Sequence, residues 1–396
     1  MPGKSEYNMT GYFDLGRIQR LKVSIIAIAL ICSAVFSGCG ASAKKFEQVK
    51  RLLDTSSCIL LPVDDETSDK EDITDMSVPI MEMLNQTGYC HLTAGIYYIR
   101  NGIVMPEGAT LEGCGNGTVI RLLDDVENGY CVRVSRFNTV RNIRFSGGDS
   151  EPDTSSEEIG DRNGLIFIAN RDGKEEPFPE VDTSIVNSCW FENFEGSAIY
   201  GHNTGGGLND GLIVSDCIIH HCVAGINLDY LSEYSKFSND IIHHCHYACI
   251  NNGGNNVFVG CTFHGTIGFL IDDSKKDKPN SGHGSAIGCT FNHIDNWNQP
   301  ETFGGGLAIG IYNNINTFCF DGCQIWYGSV DIKDSQGTSF DACTFGGNNP
   351  KITVSDSSTA SFSNCVFHQT PELNVGDLTK FSGCYLDETS EEIQAN

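Results

Sequence analysis

Positive charge is scarce in this chain, and arginine stops altogether at Arg171. Only 25 lysines and arginines stand against 51 acidic residues, for a formal charge of −26. A protein that neutralises phosphates needs a basic face, so nucleic acid is excluded as a partner and bare polyanionic substrates are disfavoured. The apolar run Val23 to Phe36 is too short to span a bilayer as a helix. A helical period is also missing between the apolar phrases that follow Thr183, which excludes a helical solenoid there.

What that region does contain is a phrase returning nine times between Thr183 and Asp387: apolar, two small or polar residues, Cys, any residue, apolar. Val186-Asn-Ser-Cys189-Trp-Phe191, Val214-Ser-Asp-Cys217-Ile-Ile219 and Phe320-Asp-Gly-Cys323-Gln-Ile325 are three copies, and in one copy Asp240 replaces the cysteine. Steps of 28, 23, 21, 28, 34, 20, 22 and 19 residues separate them, a period near twenty with insertions, which means a solenoid. The residue before each Cys is of a type that tolerates a left-handed backbone, so the chain bends there. Cys and the apolar residue two positions on then point inward together, because strand side chains alternate. A second strand follows in most copies: Ile226–Leu228, Phe269–Ile271, Leu307–Ile309, Val330–Ile332, Ile352–Val354 and Leu373–Val375. With the phrase before the bend as a third, these predict an all-β chain, a single-stranded parallel β-helix.

Eighteen cysteines in an exported chain ordinarily imply disulfides. Here eight share one repeat position, and Cys222 and Cys245 share another. Side chains stacked about 4.7–4.9 Å apart on neighbouring coils sit too far apart for a relaxed bridge, so buried thiols are expected.

Residues 1–38 have the form of an export segment, with Arg17, Arg20 and Lys22 before the apolar run and Ser-Gly-Cys39 after it. That ending resembles the lipobox of bacterial lipoproteins, which implies lipidation of Cys39 and a membrane partner through the lipid anchor, with the protein facing outward. A linker over 39–71, a β-helix domain over 72–390 and a tail over 391–396 complete the expected organisation.

Asp75, Pro79 and the apolar residues Ile80, Met83 and Leu84 suit a helix capped by Asp75. Together with Thr93-Ala-Gly95-Ile-Tyr97, Pro106-Glu-Gly108-Ala-Thr-Leu111 and Gly113-Cys-Gly115-Asn-Gly117-Thr118, it resembles the opening coils of pectate-lyase-like right-handed β-helix proteins, a superfamily holding type-3 pectate lyases and family-28 glycoside hydrolases. The resemblance covers roughly residues 72–145 and implies a right-handed helix whose N-terminal end is covered by a helical cap. It fixes fold rather than chemistry. The hydrolase signature fails residue by residue: Asp272-Asp273 and Gly282-His283-Gly284 lie too close together for adjacent coils, no Arg follows, and Ala224, Ala248 and Ile267 stand where carboxylates are needed. Elimination of the lyase type would need Ca²⁺ on clustered carboxylates and a base, for which Lys236, Lys275, Lys276 and Lys333 remain.

Two surfaces could carry chemistry. His220, His243 and His264 each follow an inward apolar residue and should form an outward column, flanked by Glu192, Asn292 and Trp326, suited to metal binding, acid–base work or sugar binding with Trp326 as platform. The second strand should be walled by loops, including Gly201–Asp210, Asp229–Lys236, Asp272–Gly284 and Ile294–Gly305 with Trp297. Its outward positions are Asn227, Asp229, Asn251, Asp272, Asp331 and Lys333. Asp229, Asp272 and Asp273 are expected close together there, raising one carboxyl's pKa for catalysis or recruiting Ca²⁺ to Asp272 and Asp273. The function these features suggest is a surface-anchored protein that binds or processes a carbohydrate polymer, as a polysaccharide lyase or glycoside hydrolase. The rival is a non-catalytic adhesive or structural β-helix lipoprotein.

Overall fold

A computed structural model of the chain describes residues 58–62, 74–168, 183–202, 209–230, 232–273, 282–293, 306–347, 350–387, 389 and 391–393. The export segment, Cys39, Lys275, Lys276 and Trp297 lie outside the described residues. The chain divides into two compact units, Met1–Leu60 and Leu61–Asn396. In the first, the described residues form the short strand Ile59–Leu60.

The second unit is a parallel β-helix. One face runs from Tyr89–Leu92 through Leu212–Ser215 and Phe318–Asp321 to Thr379–Ser382, every neighbouring pair parallel. A second face holds Trp190–Glu192, Ile218–His220, Thr290–His293 and Gln324–Trp326. A third holds Arg162–Phe167, Ser197–Gly201, Ala224–Leu228, Leu307–Tyr312 and Ser329–Lys333. Ile241–Asn251 and Thr262–Asp272 pass unbroken around the corner between the second and third faces, joining them into one bent sheet. Each second strand expected from the repeat is present with these or slightly wider bounds.

The bends of the first corner explain the phrase. All nine residues before the ladder position, Ser188, Asp216, Asn239, Gly260, Gly288, Gly322, Ala342, Asn364 and Gly383, have φ between 50° and 64°. The chain therefore turns from the first face to the second in a left-handed residue, which Gly and Asn adopt at least cost. After the bend the eight ladder cysteines are buried free thiols. Behind them Phe320, Phe340, Phe362 and Phe381 stack at 4.7–4.8 Å with interplanar angles of 8° or less, the coil spacing itself. Parallel register places like on like, and the core is a set of such columns.

At the N-terminal end the helix Ser77–Thr87 buries Ile80, Met83 and Leu84 against Tyr89–Leu92 and Ile103–Val104. Its N-cap position is Met76 rather than the expected Asp75. Asp75 still accepts the Ser77 N–H at 3.0 Å and also takes the Arg100 N–H, tying helix to first coil. Left-handed Gly88 ends the helix, its N–H on the Leu84 carbonyl. No helix among the described residues is long and apolar enough to cross a membrane.

Candidate functional site

The third face carries two outward rows. Register aligns Tyr200, Asn227, Ile250, Leu270, Gly310 and Asp331 in one. One step beyond, the ladder continues through the Asp229 N–H on Gly201 and the Asn252 N–H on Leu228. This gives the second row Asp229, Asn252, Asp272, Tyr312 and Lys333. Asp229 accepts the Tyr200 hydroxyl at 2.9 Å and lies 3.2 Å from His202 Nδ1. The Asn252 side-chain carbonyl accepts the Asp272 N–H at 2.9 Å, fixing the coil between the two carboxylates. Farther on, Asp331 accepts the Tyr312 hydroxyl at 3.1 Å and Lys333 Nζ at 2.6 Å, while that ammonium sits 5.4 Å from the Tyr312 ring centre.

Burial, then the charge of Asp229, pushes the Tyr200 phenol well up, and burial with Asp331 does the same to Tyr312. Burial followed by Glu157 and Asp272 raises Tyr247. All three stay protonated donors at neutral pH. Around the apolar stretch Ile250, Leu270 and Gly310 the strip sets phenol, carboxylate and amide groups, the vocabulary that recognises hydroxyls.

Three expectations need correction. Asp273 does not sit beside Asp272 at a loop mouth. Its N–H continues the ladder to the Tyr312 carbonyl, so the backbone stays extended and alternation turns Asp273 inward, 4% exposed. Asn251 is likewise inward and fully buried, with its side-chain oxygen accepting from Asn256. Asp229 and Asp272 share a row but are two coils apart, so the three carboxylates never converge. Among the described residues no three His, Cys, Asp or Glu come together as a metal site, and the Ca²⁺ site on Asp272 and Asp273 does not fit.

On the second face Glu192, His220 and His243 align in one row, and His264, Asn292 and Trp326 align on the coils that follow. The His220 and His243 rings stack at 5.2 Å and 7°. A register shift between Ile242 and Cys245 then sets two residues, His243 and His244, against one, His264, which is buried with its ring 5.8 Å from that of His244, so the expected outward column of three histidines is broken there. The identical pentapeptides Ile218–Cys222 and Ile241–Cys245 bring a second, unforeseen column of His221 and His244, each left-handed at φ 51° and 55°. Nδ1 of His220 meets Nδ1 of His221 at 2.8 Å, and the next pair does so at 2.6 Å. Burial, then neighbouring imidazoles, lowers His243 to about 4, and His264 is also lowered to about 4. These rings are neutral at physiological pH.

Glu192 is buried and held by two Arg144 nitrogens at 2.7 Å each, with His220 Nε2 3.4 Å away. Burial opposes its charge, yet the bonds from His220 and Arg144 outweigh that and keep the carboxyl below the usual range. It is thus a positioning anchor rather than a group open to substrate. On the same early coils Arg141 pairs with Glu112 and Arg136 with Glu107.

Between these two faces runs a strap, residues 148–161. Glu151 lies 3.6 Å from His221, the Thr154 carbonyl 3.2 Å from His246 Nδ1, and the Glu157 carbonyl takes the Tyr247 hydroxyl at 3.4 Å. It borders the third-face strip on one side. Tyr200, His202, Tyr247 and Tyr312 were not foreseen. Tyr200 ends the apolar phrase before the Gly201–Asp210 connection, a signal visible in the sequence.

No protein-family model matches the chain, and no curated protein does. Solved structures match in shape. The enzymatically active domain of tailspike protein 2 from bacteriophage CBA120 is similar with a TM-score of 0.55 and 10% identity, over 81% of this chain and 51% of that one. This chain therefore spans about half the length of that tailspike chain, at 51%. DFA-IIIase from Arthrobacter chlorophenolicus A6, without its lid, is similar with a TM-score of 0.54 and 10% identity over 85% and 96% of the two chains. The likeness is one of fold alone, and that fold is the right-handed parallel β-helix.

Proposed function

We propose that the third face holds a carbohydrate polymer along the helix axis and hydrolyses it with inversion between Asp229 and Asp272. The observation that carries this reading is their placement: two outward carboxylates on one row, one coil between them. Two strand spacings put their backbone positions about 9.5 Å apart, at the upper end of the carboxyl separation of roughly 6.5–9.5 Å that leaves room for an attacking water. It is too wide for a covalent glycosyl intermediate, which needs about 5 Å. One carboxyl protonates the leaving oxygen while the other activates water from the opposite side of the sugar ring.

Elimination is less well served. Its base would have to be a desolvated lysine, and Lys333 is 55% exposed and engaged by Asp331. The strip's acidity favours a neutral glycan over a uronate polymer. The similar structures include an enzymatically active tailspike domain and a DFA-IIIase, which supports an enzyme over a purely adhesive solenoid. The histidine face next to it stays a candidate acid–base surface, with His220, His243 and His264 at its centre.

The test is a screen of plant, host and microbial glycans that follows new reducing ends and unsaturated products in parallel. Hydrolysis predicts reducing ends alone, with the opposite anomer formed first. Unsaturated products would shift the chemistry to a lyase, and binding without turnover would favour the adhesive reading. The proposal extends to the N-terminus, where Ser-Gly-Cys39 supports cleavage and lipid anchoring at the outward surface of a bacterial membrane. Mass spectrometry of the membrane fraction should find lipid-modified Cys39; an unmodified chain beginning at Met1 or Met9 contradicts it.

A further inference from the structure

On the second face, past the histidines, two rings from different coils meet over a glycine. Trp326, Gly346 and His368 occupy one row on three successive coils. The Trp326 and His368 ring centres are 5.6 Å apart at 28°. They converge because Gly346 has no side chain: a Cβ there would lie 2.4 Å from Trp326 Cζ3 and 2.6 Å from Cε3. Gly346 has no left-handed φ that would otherwise demand glycine, so the ring's position accounts for the residue.

Polar groups flank the rings in a definite way. Trp326 Nε1 donates to Gln324 at 3.3 Å. His368 Nδ1 is engaged by Asp387 at 3.0 Å, which orients the imidazole. Tyr327, 38% exposed, extends the aromatic surface, its ring 6.0 Å from the indole. A flat, part-exposed indole laid on the sheet, with the Gln324 amide and the Asp387-bound imidazole at its edge, is complementary to a ring that is apolar on one face and hydroxylated at its edge.

We propose that Trp326 and His368 form an accessory platform for a neutral pyranose, with the Gln324 amide and the Asp387-held imidazole at its polar edge. It rests on the glycan reading for its ligand class but lies on a different face from Asp229 and Asp272. The platform holds polymer without taking part in its cleavage.

Calorimetric titration of the full chain in detergent with maltohexaose, cellohexaose, xylohexaose and mannohexaose tests it. At least one hexaose should bind the wild type and the Asp229→Asn/Asp272→Asn double variant alike. Trp326→Ala should weaken that binding at least tenfold, and Gly346→Ala, which keeps the indole but lifts it from the sheet, should weaken it several-fold. Binding untouched by both substitutions overturns the platform, as does failure of every hexaose. Binding lost in the double carboxylate variant alone assigns the sugar to the third face and overturns the platform while sparing the proposed hydrolase. Binding that follows Trp326, with no cleavage of any glycan, keeps the platform and removes the hydrolase.

Discussion

At the scale of single residues the most consequential departure from the repeat is Asp240. It occupies a ladder position between Cys217 and Cys261, fully buried, accepting the Cys217 N–H at 2.8 Å and lying 3.9 Å from the Cys261 thiol. Burial raises its carboxyl from 3.8 to about 7, against partial relief from its backbone hydrogen bonds. The folded state thus keeps a proton that the unfolded chain releases between about pH 4 and 7, and stability falls as pH rises through that window. A shift of this size corresponds to a loss on the order of 4 kcal/mol by pH 8. Asp240→Asn keeps an acceptor for Cys217 and removes the titration. Urea unfolding at pH 4 and pH 8 should show the variant gaining on the wild type only at the higher pH; parallel behaviour of the two proteins would contradict this.

Residue-scale features also mark where the sequence was hard to read. Asp240 was visible as the odd member of the ladder, yet its burial follows only from the register of its neighbours. Asp273 and Asn251 were misplaced by one residue because the strands run farther than their apolar cores. Alternation then sends each side chain to the opposite side. The Arg144–Glu192 pair was hidden because the long insertion between those residues obscures which coil follows which.

Elements were more legible than individual side chains, and the first corner shows why. A parallel coil must repeat its turn, so nine left-handed residues stand in nine equivalent places and leave a compositional trace of Gly, Asn, Asp and Ser. The corner between the second and third faces left a fainter trace, because His221 and His244 take the left-handed position there and resemble site residues. Ala342 is the one first-corner residue with neither glycine's freedom nor a side chain that bonds locally, at φ 50° and exposed. Ala342→Gly should raise stability by roughly 1 kcal/mol, the left-handed cost partly offset by glycine's larger unfolded entropy. Chemical denaturation reads this directly, and a less stable variant would show that the bend is not strained.

For the whole molecule, the long stacks make the core a set of columns running along the axis, and the thiols follow that pattern. Among the described residues Cys114 is exposed, Cys58 and Cys319 are intermediate and the rest are buried. Burial also raises Cys131 and Cys249 well above the usual thiol range. Alkylation of the native protein should therefore map first to Cys114, with the ladder cysteines labelled only on unfolding. Rapid native labelling of Cys261 or Cys343 would contradict the buried register.

The charge of the whole chain fits a surface that attracts neither nucleic acid nor polyanions, and the third face gathers its acidic groups with the tyrosines that partner them. The central claim is that Asp229 and Asp272 act together across the coil of Asn252. The direct measurement is the turnover of Asp229→Asn and Asp272→Asn, each on the glycan the wild type cleaves, with binding followed separately. The account predicts that either change lowers turnover by about 100-fold or more while leaving glycan affinity within a few-fold. Turnover near the wild-type rate in both variants would contradict it and move the chemistry off this face.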